Sequence, residues 1–318
     1  MRLKPSYILG AVRRPYLDIS MPTGNGYITR IVERPGKWMS DAELAALSEK
    51  LRAIASQTLA AGALTYGVFS GDAKRMQHSI ITLVSDAQTG QSIAFNALAV
   101  IEADMHGQDE EVLHLGLVMV DRDVRSQGLS WILYGLTCIL LWLRAGLRPL
   151  WISNVTQVPA IVGMVSDTFT NVAPRPGAET VQDFNKVLLS RVIMARHRHV
   201  FGVGQDAEFD EALGIIRNAY TGGSDDLKKT FDEAPKHRNA QINKFCELGL
   251  DYDRGDDFLQ IGQIDTNAVR RFVMRSVPRG SLLAVLSLGG LVTLRRVVLP
   301  VLYWFDTKND YGVLRSKV

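Results

Sequence analysis

Apolar and polar positions along the 318-residue chain change period repeatedly, and each change marks an element. Tyr27-Ile-Thr-Arg-Ile-Val alternates as a short strand that stops at Pro35-Gly36, and residues 1–25 before it read as an irregular leader rich in Pro and Gly. Ser40-Asp-Ala-Glu43 is a capping box, in which hydroxyl and carboxylate satisfy amides that the first helical turn leaves open. The helix it opens carries Leu44, Leu47, Leu51, Ile54 and Leu59 at near-helical spacing and runs out at Gly62. Three strands follow: Ser79–Ser85, then Ser92–Ile101 after turn chemistry at Asp86–Gly90, then Val112–Val120 after a polar loop at Met105–Glu110. The third is apolar almost throughout, as in a strand covered on both faces. Simple alternation puts His114, Gly116 and Val118 on one side of it and Leu113, Leu115 and Leu117 on the other.

A polar turn at 121–128 leads into Leu129–Leu143, apolar and long enough for a buried helix that ends at Gly146. Pro149 introduces a strand at Leu150–Ser153, and a helix follows over roughly Thr156–Phe169. Pro174-Arg-Pro-Gly177 breaks the chain. Beyond it the pattern turns mostly helical, at about 180–196, 207–219 and 236–248, before one late strand at Phe258–Ile264. The expected organisation is a leader at 1–25, an α/β domain at 26–265 with a helical insertion at about 178–255, and an apolar and basic tail at 266–318.

Composition narrows the class without naming it. With 47% hydrophobic and 22% charged residues the chain has ordinary globular composition. A net charge of +3, with no run of five Lys or Arg, argues against a nucleic-acid partner. Two cysteines, Cys138 and Cys246, do not suit a secreted disulfide framework, and no Cys-x-x-Cys or His/Cys ligand spacing suggests a metal site. The apolar run after Met1-Arg-Leu-Lys-Pro is interrupted by Arg13-Arg14 too soon for a signal peptide, so a cytoplasmic location is expected.

Val118-Met-Val-Asp-Arg-Asp-Val-Arg125-Ser-Gln127-Gly128-Leu-Ser130 is the most informative stretch. A strand ends, a polar turn follows, and a helix begins at a glycine. There, successive backbone N–H groups converge and the helix dipole adds roughly half a positive charge. Gly128 omits a side chain that would obstruct a diphosphate, Ser130 stays small, and Arg125 can add a charge-assisted contact. The same residues also suit a plain strand–turn–helix corner.

Arg125-x-x-Gly128-x-Ser130 resembles the diphosphate loop of the GNAT superfamily, Gln/Arg-x-x-Gly-x-Gly/Ala, with Ser in the last small position. The element order over about residues 26–172 is similar as well. The resemblance implies a mixed central sheet with flanking helices and transfer of an acetyl or longer acyl group from CoA to an amine by base-assisted direct attack. It implies acetyl-CoA or acyl-CoA as cosubstrate, with no permanently bound cofactor. The backbone of Met119 and Val120 would meet the pantetheine arm and the thioester oxygen, and the amides of Gln127, Gly128, Leu129 and Ser130 would meet the diphosphate. The family's usual base position falls on His114, whose side chain is also suited to a structural role in the sheet. Glu111 and Glu110 are the alternative bases. Asn154 matches a common polar position of the family that would hold water or the pantetheine, or it caps the next helix. The helix after it lacks the Tyr that many members use as general acid, so a GNAT-fold protein without catalysis is one alternative.

Two further features stand outside that pattern. Arg191, Arg196, His197, Arg198 and His199 form a basic cluster that suits a helix C-terminus, and would also meet an acidic ligand. Leu282–Leu294 and Val297–Phe305 are apolar runs surrounded by Arg271, Arg275, Arg279, Arg295 and Arg296, each too short to span a bilayer. They read first as a tail packed on the core or on another subunit, and alternatively as a lid over an acyl chain or a membrane-surface helix of an acyltransferase that uses long-chain acyl-CoA or acyl-carrier protein.

Overall fold

The computed structural model describes residues 16–57, 67–124, 127–129, 131–177, 183–222, 224, 227–298 and 301. Its frame is one mixed sheet with helices on both faces, an α/β architecture. The strands are β1 (Asp18–Gly24), β2 (Tyr27–Glu33), β3 (Ser79–Asp86), β4 (Ser92–Met105), β5 (Gln108–Val120), β6 (Leu150–Thr156), β7 (Thr170–Ala173), β8 (Glu208–Asp210), β9 (Ile215–Arg217) and β10 (Asp257–Ile264). Across the sheet they run β1-β2-β3-β4-β5-β6-β10-β9-β8, with β7 beside β10. All neighbours are antiparallel except β5 and β6, which are parallel as their connecting helix requires.

The longer helices are α1 (Asp41–Ala55), α2 (Thr137–Arg144), α3 (Pro159–Thr168), α4 (Phe184–Val192), α5 (Ala240–Gly249), α6 (Thr266–Ser276) and α7 (Leu282–Thr293). A π-helical segment, Trp131–Leu136, precedes α2 and continues into it. The capping box at Ser40 and Glu43 is formed, and Leu44, Leu47, Leu51 and Ile54 bury one stripe of α1 against Ile81, Leu83, Phe95 and Ala97. On the same face α4 sets Leu189 against Val112, Leu259 and Ile261. On the opposite face Leu136 and Leu140, with Val165, Ala284 and Leu288, pack on Leu98, Leu113 and Ile152.

Several expectations are corrected by tertiary pairing. The leader is not irregular throughout: residues 18–24 form β1, joined to β2 through Asn25-Gly26, both at positive φ (51° and 78°). Asn-Gly is the strongest short hairpin signal, and the Pro- and Gly-rich surroundings obscured it. The expected polar loop at Met105–Glu110 is instead a two-residue turn, His106-Gly107, between the ends of β4 and β5. The helix expected at 207–219 is the β8–β9 hairpin, because β10 offers Asp257 and Phe258 as partners for Ile216 and Ile215. The helix expected at Thr156–Phe169 starts only at Pro159, since β6 continues to Thr156 in register with β10.

Alternation along β5 is also corrected. Between the pairs Ala97↔Leu117 and Ala99↔His114, β5 spends three steps where β4 spends two, leaving Leu115 and Gly116 opposite Leu98. This bulge shifts the phase by one residue. Val112, Leu117 and Met119 therefore face the α1 and α4 side, while Leu113, Leu115, Val118 and Val120 face α2. Gly116 is required there by close approach: a Cβ would lie 2.1 Å from the carbonyl oxygen of Ala97. Gly116→Val should close the bulge or distort β4, destabilising the protein by roughly 1–3 kcal/mol. The midpoint of urea unfolding measures this, and an unshifted midpoint would show that the bulge tolerates a side chain.

Candidate active site

The bulge coincides with a split in the sheet. β5 and β6 pair only at Val112↔Trp151, Leu113↔Ile152 and His114↔Ser153. Beyond His114, β5 continues six residues to Val120, about 20 Å of strand, with no further pairing to β6. Burial follows the split: Val112–Leu115 are buried, and Gly116–Val120 are half-buried. β6 is paired along its whole length with β10 and ends at Thr156, so it flanks the unpaired part of β5 with its last three residues, Asn154–Thr156. Residues 121–124 and 127–129 follow the end of β5.

Local hydrogen bonds shape that turn. Asp121 accepts the amide of Asp123 (3.0 Å) and the Nε2 of Gln57 (2.8 Å), while the Oε1 of Gln57 accepts the Arg122 amide (3.2 Å). The Tyr27 hydroxyl donates to Oε1 of Gln127 (2.5 Å), tying the turn to β2. Gln127 and Gly128 are exposed, and Leu129 is buried as the hydrophobic anchor of the helix that follows. Gly128 has φ +74°, a conformation that L side chains rarely adopt, and the space its Cβ would fill is open. Its glycine therefore serves both the backbone turn and an unobstructed surface. Arg125 and Ser130 lie outside the described residues.

His114 stands at the branch point itself. Its Nδ1 is 3.1 Å from Oγ of Ser153, a buried hydroxyl on β6, and its ring stacks on Phe201 at 4.9 Å between centroids. Burial pushes its pKa down to about 4, so the imidazole is neutral at pH 7. Glu111 and Glu110 lie at the other end of β5 from the turn. Glu111 is exposed and accepts the Arg34 guanidinium at 2.8 Å, so the structure does not bring it to the gap.

Asn154 is likewise placed otherwise than as a helix cap. It is buried within β6, opposite Gln260 of β10, and donates to that side chain at 3.3 Å. Gln260 in turn donates to the carbonyl of Pro174 (3.0 Å) and to Ser166 Oγ (3.3 Å), so the pair ties β6, β10 and α3 together. The residue preceding α3 is Val158. In the basic cluster, Arg198 donates to the carbonyls of Met194, Gly204, Gln205 and Ala207 and so shapes the loop that places Phe201.

Tyr27, Gln57, Ser153 and Phe201 were not foreseen as site residues. The Asp121-x-Asp123 spacing is a visible turn signal. Residues arriving from β2, α1, β6 and the segment after α4 carry no local signal at all.

No protein-family model matches the chain, and no curated protein matches its sequence. Among solved structures, it is similar to the ribosomal-protein-S5-alanine acetyltransferase from Vibrio fischeri, at 10% identity and a TM-score of 0.34, over 78% of this chain and 98% of that one. It is also similar to a conserved protein of unknown function from Enterococcus faecalis, described as a probable N-acyltransferase, at 14% identity and a TM-score of 0.30, over 54% of this chain and 44% of that one. Likeness at these identities does not extend to chemistry.

The branch-point histidine makes stability depend on pH. His114 is depressed in the fold to about 4 from a reference value of 6.5, so the unfolded chain binds more protons between those values. Its contribution is complete above pH 6.5 and is lost as pH falls toward 4. Asp257, buried and raised to about 7 mainly by desolvation, has the opposite sign: it is protonated in the fold and destabilises as pH rises from about 4 to 7. The two slopes oppose each other in the native protein. His114→Gln should therefore lose less stability than wild type between pH 6.5 and 4.5, by about 2–3 kcal/mol in unfolding free energy. Equal pH slopes in urea titrations would show that His114 is not desolvated.

Proposed function

We propose that the chain is a GNAT-type acyltransferase that takes its acyl group from a CoA thioester and passes it to an amine. The observation that carries this reading is the split between β5 and β6 at His114–Ser153, followed by a β5 that ends in an exposed turn with Gly128 at positive φ. A parallel pair that separates leaves a gap that suits a linear ligand, and the pantetheine arm of CoA has that shape. In this reading the arm lies along Met119 and Val120, and the diphosphate meets the turn at Gln127–Leu129.

For transfer, the amine must reach the thioester as a free base, and a backbone donor must hold the developing oxyanion. Met119–Val120 is the segment proposed for the oxyanion. His114 is the proposed base: neutral, it has a lone pair available, and its Nδ1 contact with Ser153 orients the ring. Its low pKa makes it a weak base until a ligand brings solvent or charge to the branch point. α3 carries no Tyr to protonate the leaving thiolate.

A second reading, CoA-thioester binding without transfer, is favoured by one observation. His114 is only 4% exposed and lies beneath Phe201.

Calorimetry with acetyl-CoA and a long-chain acyl-CoA tests the shared part of both readings. Binding of at least one is expected, and no binding of either sinks them together. Gly128→Val should weaken that binding roughly tenfold by forcing a side chain into left-handed backbone. In turnover assays over a panel of amines, His114→Gln should reduce the rate by on the order of 10²-fold. An unchanged rate removes His114 as the base, and binding without turnover selects the second reading.

A further inference from the structure

The C-terminal helices carry a surface that the site does not use. α6 and α7 both pack on the α2 face of the sheet, through Val269 and Phe272 and through Ala284, Leu288 and Val292. No residue of α7 is charged, and its exposed positions are Leu282, Leu283, Leu286, Gly290 and Thr293. Leu283 and Leu286 are 72% and 69% exposed, and Val297 and Val301 are 58% and 55% exposed. Leu283 and Leu286 lie one turn apart on α7 and, with Leu282 beside them, form an exposed apolar stripe. Met274 on α6 is 75% exposed. Large apolar side chains gathered in this way mark an interaction surface.

Charge identifies what the stripe fits. From Thr266 to Phe305 the sequence holds Arg270, Arg271, Arg275, Arg279, Arg295 and Arg296 and no Asp or Glu. That stretch contributes +6 to a chain of net +3, leaving −3 for all the rest. Arg270, Arg275 and Arg279 are exposed on α6 and in the link to α7. A second copy of the chain is a poor occupant, because a two-fold contact would set this arginine-rich patch against itself. No helix among the described residues is long and apolar enough to cross a membrane. An apolar stripe edged by cations, on helices too short to span, suits the interface of a bilayer with anionic headgroups.

We propose that α6 and α7 dock this protein on an anionic lipid surface, with Leu283, Leu286 and Val297 entering the headgroup–acyl boundary and Arg270, Arg275 and Arg279 meeting the lipid phosphates. This does not depend on the acyltransferase reading.

Co-sedimentation of the full chain with vesicles tests it, using phosphatidylcholine alone or mixed with phosphatidylglycerol. Binding is expected to the mixed vesicles and to weaken as salt rises. Leu283→Asp with Leu286→Asp should reduce partitioning by roughly tenfold or more. Replacing Arg270, Arg275 and Arg279 by Gln should reduce it roughly fivefold for each arginine. All five positions are exposed, and unchanged thermal unfolding of the variants will show that the fold is retained. Absence from the mixed-vesicle pellet at low salt overturns the proposal, as does equal binding to both vesicle types. A concentration-dependent dimer that the double Asp variant dissolves, with no vesicle binding, also overturns it and assigns the stripe to a second copy.

Discussion

One extra residue in β5 governs the layout of this protein. The bulge at Leu115–Gly116 sits one step beyond the last pair that β5 makes with β6, and it lets β5 turn away while staying paired with β4. A bulge bends its strand, which gives β5 a local reason to leave β6. The device depends on a glycine because the carbonyl of Ala97 fills the place of a side chain. Everything proposed about the site follows from that split: a half-buried strand segment, a branch point, and a turn at the far end.

The polar groups near the split are arranged to hold it rather than to weaken it. His114 and Ser153 satisfy one another across the last paired rung, and Asn154 and Gln260 do so on the opposite face. At the other end of the same strands, Arg34 is buried and bonds Glu102 and Glu111, whose carboxylates reach solvent. Arg144 reaches back from α2 to Glu33 through both terminal guanidinium nitrogens, at 2.9 and 3.1 Å. A buried polar group without a partner is costly, so these pairs define which strands meet as well as how firmly. They also separate two roles that a list of titratable residues would merge: Glu111 belongs to a clamp, and His114 to the branch point.

The two C-terminal helices obey a different constraint. A helix without charged residues can bury only one side on a sheet, and α7 spends that side on Ala284, Leu288 and Val292. Its outer side is then set by what surrounds the molecule rather than by the core. The arginines of α6 and its link to α7 give that surroundings a sign.

Much of the frame was legible from local pattern, since its causes are local. The capping box at Ser40–Glu43, the three strands before the turn, the break at Pro174–Gly177 and the late strand at 258–264 are each written in periodicity and turn chemistry. The turn with Gly128 was legible for the same reason. Tertiary structure decided what pairing decides. It made a hairpin of 208–217 because β10 was there to receive it, and it placed Asn154 inside a strand because Gln260 faced it. It also moved Val118 to the opposite side from His114, because a single bulge inverts every later position of a period-two pattern. The sequence by itself determined that a strand would run from His114 into a glycine turn. Only the sheet determined that β5 would part from its neighbour at His114, since the partner strand lies about forty residues away and no local pattern reports its register.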